Sequence, residues 1–147
     1  MKATFEKTMD ILVKAYLNDT LEHGNCHACA VGNLIAAQNG LSYKRDYSDF
    51  QRWDGYIEPH WYQLVTPVKC DYGDIEIGTN QINQIGYSIQ DTIRIENAFE
   101  NSERGQNNDD WMFNGLMAVL DVLAEIHGID LTVKKNYQEQ LSAIYES

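Results

Sequence analysis

The chain has 147 residues, of which 44% are hydrophobic and 11% are aromatic, and this composition excludes an intrinsically disordered protein. A chain of this length fits one domain with one core. Residues 71–130 hold ten of the eleven net negative charges, which disfavours direct binding to nucleic acid or to an anionic membrane. The acidity favours a basic partner, although many domains are acidic simply for solubility.

The N-terminal segment predicts a cytoplasmic protein. Residues 1–21 include Glu6, Asp10 and Asp19 and lack an apolar run long enough for a signal peptide or a membrane span. The chain has three cysteines, an odd number, and a chain of this size does not need a disulfide framework. We therefore expect reduced thiols.

Apolar periodicity predicts a pair of antiparallel helices within residues 4–38. The first is expected from about Thr4 to Glu22, with its end at the His23-Gly24 pair. The second is expected from Cys26 to about Gln38, with Asn25 as its N-cap.

An aromatic, helix-poor insert follows over residues 41–78 and contains both prolines. We expect it to be irregular or to form a hairpin, with His60–Val65 and Val68–Asp71 as strands. Tyrosine and tryptophan beyond the needs of a core can build a ligand pocket or a partner interface. We assign that role to four side chains: Trp53, Tyr56, Trp61 and Tyr62.

The remaining residues predict further helices over 79–127 and a C-terminal helix over 133–145. Ser88 and Asp91 have the spacing of a capping box that opens a helix to about Asn101. The segment Asp109–His127 is apolar over more than half of its circumference, which predicts the central helix of the core. The expected fold is mainly α: a single-domain bundle of five or six helices with the aromatic insert.

Residues 24–33, Gly-Asn-Cys-His-Ala-Cys-Ala-Val-Gly-Asn, hold two of the three cysteines. In the first turn of a helix, Cys26 would lie near free backbone N–H groups and the positive end of the helix dipole, which lower a thiol pKa. This favours a nucleophilic thiol or a dithiol pair with Cys29. A thioredoxin-like pair follows a strand, however, whereas a helix is predicted before Cys26.

The Cys26 segment resembles the helix-opening cysteine segment of papain-like thiol enzymes. Residues 60–65, His-Trp-Tyr-Gln-Leu-Val, resemble the strand that presents their histidine. The resemblance implies a thiol hydrolase with Cys26 as nucleophile, His60 as base and Asp71, or alternatively Asp74, as the carboxylate that orients the imidazole. The segment between Cys26 and His60 is short for that family.

A zinc site is a further alternative. Thiolates and imidazole suit tetrahedral zinc, and the available ligands are His23, Cys26, Cys29 and Cys70. Their spacing matches no standard zinc module, and small buried cysteines that allow close helix packing explain the same residues. We therefore expect no cofactor, with zinc as the alternative.

Residues 24–33, together with Met-Phe-Asn-Gly-Leu-Met-Ala-Val over 112–119, resemble short uncharacterised proteins of Bacteroides-type gut bacteria and their phages. The resemblance implies an intracellular, phage-linked protein and carries no activity. The leading hypothesis is a non-enzymatic binding or regulatory protein that uses its acidic surface and aromatic insert against a protein or a small-molecule ligand. A papain-like thiol hydrolase and a zinc-stabilised accessory protein are the alternatives.

Overall fold

A computed structural model describes residues 3–23, 29–38, 64–70, 73–78 and 85–147. This part of the chain is mainly helical, as predicted. Its five helices are α1 (Phe5–Leu17), α2 (Ala30–Gln38), α3 (Ile89–Glu100), α4 (Asn108–His127) and α5 (Leu131–Glu146). Two strands, β1 (Leu64–Cys70) and β2 (Gly73–Gly78), pair in antiparallel fashion. No helix in these ranges combines the length and the apolar character that crossing a membrane requires.

Helix α4 is the central helix of the described core, as its apolar circumference predicts, and it contacts α1, α3 and α5. It begins after Asn107, whose side-chain oxygen accepts a hydrogen bond from the N–H of Asp110 at 2.8 Å. It ends at Gly128, whose φ of 61° is left-handed, a conformation that glycine adopts at low cost. The buried residues of α4 are Met112, Gly115, Leu116, Val119, Leu120, Leu123 and Ala124.

Two rings approach the α4 backbone closely at Gly115. A Cβ atom at this position would lie 2.7 Å from Cδ1 of Phe99 and 3.0 Å from Nε2 of His23. The absence of a side chain therefore lets a ring from α3 and an imidazole from the segment after α1 rest directly on the α4 backbone.

Helix α1 ends five residues before the predicted end. The N–H of Thr20 donates to the carbonyl of Ala15 at 2.8 Å, and the N–H of Asp19 donates to the carbonyl of Tyr16 at 3.2 Å. With Asp19 at φ 60°, these bonds form a Schellman motif. The prediction that the helix ends at His23-Gly24 is wrong, because the short polar pair Asn18-Asp19 supplies the left-handed residue earlier.

Helix α2 begins at Ala30, four residues after the predicted start. Cys29 precedes the helix and acts as its cap: its carbonyl accepts from the N–H of Asn33 at 2.9 Å, and its Sγ accepts from the N–H of Gly32 at 3.3 Å. The predicted start at Cys26 is wrong because the Cys29 thiol takes the capping role. The predicted cap, Asn25, lies outside the described residues.

The hairpin lies later in the chain than predicted. Pro67 falls between the two predicted strands but lies within β1 and is paired with Glu76. Both strands of a two-stranded sheet are edges, and an edge strand tolerates proline. The predicted strand residues 60–63 and the aromatic residues of 41–63 lie outside the described residues.

The other two helices agree with the prediction in position. The Ser88 hydroxyl caps α3 by accepting from the N–H of Asp91 at 3.1 Å. Asp130 caps α5 in the same manner, and the helix docks on the core through the buried Leu141. Residues 79–84, where the further helices are predicted to begin, lie outside the described residues.

We predict that Gly115→Ala lowers the free energy of unfolding, by about 1–3 kcal/mol. Alanine would favour the helix by about 1 kcal/mol, but its methyl group would overlap the fully buried Phe99 ring. Urea denaturation measures the loss.

A double-mutant cycle with Phe99→Leu tests the stated cause. The Gly115→Ala substitution should cost less in the Phe99→Leu background, where the larger ring is gone. Equal costs in both backgrounds would show that the contact with Phe99 is not responsible.

Candidate functional site

Three acidic side chains meet where α2 approaches α3, and we call them the thiol–carboxyl cluster: Cys29, Glu96 and Glu100. Glu96 and Glu100 are one helical turn apart, so they lie on the same face of α3. Cys29 stands immediately before α2 and directs its thiol at Oε2 of Glu96, at 3.5 Å. One ligand atom from each of the three residues lies within 4.8 Å of the others.

The cluster lies largely out of solvent. Cys29 is 0% exposed and Glu96 is 4% exposed, while Glu100 is half-buried. The second carboxyl oxygen of Glu96, Oε1, is buried and has no hydrogen-bond partner in the described part of the chain. Such atoms are uncommon in folded proteins, because leaving one unpaired costs about 1–3 kcal/mol.

The burial changes the acidity of both inner groups. The pKa of Glu96 is raised from 4.5 to about 8, chiefly by desolvation and also by the charge of Glu100, while the hydrogen bond from Cys29 opposes the rise. Desolvation also raises the pKa of the Cys29 thiol, with the Glu96 charge acting in the same direction. At neutral pH both groups therefore hold their protons unless a cation replaces them.

The burial and the raised pKa of the Cys29 thiol disfavour a role as a nucleophile or a redox group. A catalytic or redox-active cysteine needs an accessible thiolate, whereas the Cys29 thiol is fully buried and its pKa is raised. A sulfur and two carboxylates are instead a donor set that a divalent transition metal can use.

A second group surrounds His23, and we call it the aromatic stack: Phe99, His23, Trp111 and Arg104. The His23 ring lies parallel to Phe99 and to Trp111, with 4.0 Å between ring centroids in each pair. The guanidinium of Arg104 lies 4.6 Å from the Trp111 ring centroid, a cation–π contact. The stack fixes the segment after α1 to the end of α3 and the start of α4.

The hydrogen bonds of His23 determine its protonation. Nε2 lies 2.8 Å from the carbonyl oxygen of Phe99, which can only accept, so Nε2 carries the proton and donates it. The pKa of His23 is lowered from 6.5 to about 4, chiefly by desolvation and also by the charge of Arg104, while the hydrogen bond to Phe99 opposes the change. At neutral pH His23 is therefore neutral, with its Nδ1 buried and without a hydrogen-bond partner in the described ranges.

A third buried polar group, the hydroxyl of Tyr87, differs from the first two because it has its hydrogen-bond partners within the fold. The hydroxyl of Tyr87 lies 2.7 Å from Oγ1 of Thr8 and 2.7 Å from Nε2 of His127. These bonds join α1 to α4 across the core, and desolvation raises the pKa of Tyr87 to about 12. Because its donor and acceptor capacities are used within the fold, we assign this group a structural role.

The structure describes four of the residues predicted to form sites: His23, Cys29, Cys70 and Asp74, whose backbone in β2 pairs with Lys69. Cys29 contacts Glu96, whereas His23 belongs to the aromatic stack and is not in the thiol–carboxyl cluster. Cys70 is the last residue of β1, and its backbone pairs with Gly73. The other predicted site residues lie outside the described ranges: Cys26, Trp53, Tyr56, His60, Trp61, Tyr62 and Asp71.

Sequence reasoning missed Glu96 and Glu100. The available signal was that Glu96 follows Thr92 by four residues and precedes Phe99 by three, so all three share one face of α3. Thr92 and Phe99 are fully buried. A glutamate in the line of a buried helix face indicates a buried carboxyl group.

The chain matches no family model, no curated protein and no solved structure. Its function is therefore inferred from the contacts, burial and charges of the described residues.

We predict that protein freed of metal by a chelator loses stability as the pH rises from about 4.5 to about 8. The folded state keeps a proton on Glu96 that the unfolded state releases, so this contribution is full below pH 4.5 and is lost through the folded pKa. Glu96→Gln should lack this loss, which is on the order of 5 kcal/mol at about 1.4 kcal/mol per pKa unit.

Urea unfolding of both proteins across this range measures the effect, with the exposed Glu139→Gln as the matched control. The control should follow the wild type. Parallel pH profiles for the wild type and Glu96→Gln would contradict the buried, proton-holding carboxyl.

His23 should give the opposite dependence on pH. Its folded pKa lies below its unfolded pKa, so its contribution is full above pH 6.5 and is lost as the pH falls through about 4. We expect His23→Phe to reduce the acid-induced loss of unfolding free energy by more than about 1 kcal/mol. The Phe99 carbonyl keeps a donor in this variant, the Ser102 hydroxyl at 2.8 Å. Urea unfolding at both ends of the range provides the measurement, and an unchanged acid limb would refute the assignment.

Proposed function

We propose that the chain is a non-enzymatic binding or regulatory protein whose acidic surface receives a basic partner. The surface in question is the α3–α4 corner, defined as residues 101–110. Its carboxylates at Glu103 and Asp109 are exposed, and neither forms an ion pair with another residue of the described part of the chain. This exposed negative charge is the observation on which the proposal depends.

The corner is held in one conformation by its own hydrogen bonds. The Asp110 carboxylate accepts from the N–H of Gln106 at 2.9 Å and from the hydroxyl of Tyr145. The side-chain amide of Asn114 donates to the carbonyl of Glu103 at 2.9 Å. Gly105 has φ 66°, which permits the tight turn between them. A binding surface that is already ordered loses less entropy when a partner docks.

Three cations of the described chain, Arg94, Lys134 and Arg104, are already engaged, which supports a basic partner rather than an acidic one. The guanidinium of Arg94 lies 2.6 Å from the carboxylate of Glu125, and Lys134 lies 2.9 Å from Asp121. Arg104 lies over Trp111. A partner rich in lysine or arginine would meet uncompensated carboxylates at the corner, and charge complementarity of this kind raises association rates and selects partners.

The buried state of Cys29 supports the non-enzymatic part of the proposal. The thiol-hydrolase alternative depends on Cys26, His60 and Asp71, all outside the described residues, and stays a prediction. So does the contribution of Trp53, Tyr56, Trp61 and Tyr62 to the binding surface. The phage-linked role is likewise proposed, on the sequence resemblance alone.

We predict that the protein binds a short arginine-rich peptide at low salt and that the double variant Glu103→Gln/Asp109→Asn weakens binding at least several-fold. The matched control is Glu139→Gln/Glu146→Gln on α5, which removes the same charge from exposed positions and should bind nearly as the wild type. Isothermal titration at two salt concentrations measures both, because screening weakens such binding.

Equal losses in the two double variants would show that binding follows total charge and not the corner. No binding by the wild type at low salt would contradict the proposal altogether. If an alkylating reagent modifies one thiol per chain to completion, and the pH dependence of the rate shows that this thiol has an unusually low pKa, the result would instead favour the thiol hydrolase.

A further inference from the structure

The thiol–carboxyl cluster has a feature that packing alone does not explain. Glu96 is almost entirely buried, since only 4% of it is exposed, yet Oε1 makes no hydrogen bond with any described residue. Its other oxygen faces the Cys29 sulfur, and a carboxyl oxygen of Glu100 completes a group within 4.8 Å. Three groups that each become anionic are thus brought together away from water, which is unfavourable unless protons or a cation neutralise them.

We propose that Cys29, Glu96 and Glu100 form a binding site for a divalent transition-metal ion of the zinc class. The ion would bind the Cys29 thiolate and one oxygen of each glutamate. This ligand set differs from the thiol–imidazole set predicted from the sequence, because it shares only Cys29 with it and takes its other ligands from α3.

The present distances suit such an ion. Zn–S bonds of about 2.3 Å and Zn–O bonds of about 2.0–2.2 Å place sulfur and oxygen about 3.6 Å apart in a tetrahedral site. The observed separation between Sγ of Cys29 and Oε2 of Glu96 is 3.5 Å. The third ligand atom lies within 4.8 Å of the others and must approach them by roughly 1.4 Å at most, which a half-buried glutamate side chain can do by changing its rotamer.

The donor types select the class of metal. Calcium and magnesium prefer sites made entirely of oxygen, whereas a thiolate favours zinc and similar borderline ions. Three protein ligands leave one tetrahedral position for water. Because Cys29 also caps α2 through its sulfur, an ion held there would fasten the start of α2 to α3.

The test is titration of the metal-free full chain with Zn²⁺, and separately with Co²⁺, whose thiolate complexes absorb in the near ultraviolet. We expect one ion per chain, a thiolate-to-Co²⁺ absorption band and a rise in Tm with Zn²⁺. Glu96→Gln should keep the fold, because it is nearly isosteric and removes a buried acid, and should weaken binding at least about tenfold. Loss of an outer-sphere partner alone costs about 10–100-fold.

Three further variants complete the test. Glu100→Gln should weaken binding comparably, and Cys29→Ser should abolish the charge-transfer band. The matched control, Cys70→Ser, removes a cysteine outside the cluster and should bind as the wild type.

The proposal is overturned if the wild type takes up neither ion. It is equally overturned if both glutamine variants bind as the wild type while Cys70→Ser, His23→Phe or Cys26→Ser loses the ion, since that pattern assigns the metal to the thiol–imidazole set. A cooperative unfolding transition above the assay temperature for each variant without metal shows that altered binding does not reflect unfolding.

Discussion

The rest of this structure depends on a carboxyl group placed inside its core. Glu96 occupies the buried face of α3, where neighbouring positions carry Thr92, Ile95 and Phe99. Burial of a charged carboxylate without a partner costs several kcal/mol, so the fold is compatible with Glu96 only when a proton or a cation neutralises it. Because Glu96 contacts Cys29, the group that must be neutralised lies at the junction between α2 and α3.

The same turn of α3 also organises the aromatic stack. Phe99 lies between Glu96 and Glu100 in the sequence, and its ring contacts both His23 and the bare backbone at Gly115. Both groups are neutral in the folded core, Glu96 because it keeps its proton and His23 because it does not take up a second one. Their contributions to stability therefore change with pH in opposite directions. Together these two groups give the metal-free core its greatest stability between about pH 4.5 and pH 6.5, their unfolded-state pKa values.

The buried Glu96 and the aromatic stack belong to the core, whereas the surface to which we assign binding is the α3–α4 corner. The α3–α4 corner begins directly after α3, and the stack fixes its base through Trp111 and Arg104. The exposed carboxylates of the corner are therefore held in position by the aromatic stack. A partner that binds there would meet a preformed surface, and the buried cluster would act on it only through the stability of α3.

Local signals made part of this fold predictable. The position of α4 follows from its apolar circumference, and the start of α3 follows from the Ser88 cap; both depend on residues close in sequence. The end of α1 was missed because an aspartate, Asp19, takes the left-handed position that glycine usually takes. The role of Glu96 was missed because a glutamate in a helix ordinarily faces water, and only the tertiary packing of α2 against α3 encloses it.

The most direct test of the buried carboxyl is the titration of Glu96 itself. Side-chain carboxyl carbon shifts, followed by NMR in metal-free protein and assigned with Glu96→Gln, report the protonation of this one group. We predict a midpoint near 8. A midpoint near the ordinary value of 4.5 would show that Glu96 is solvated, and the buried cluster would then have to be abandoned.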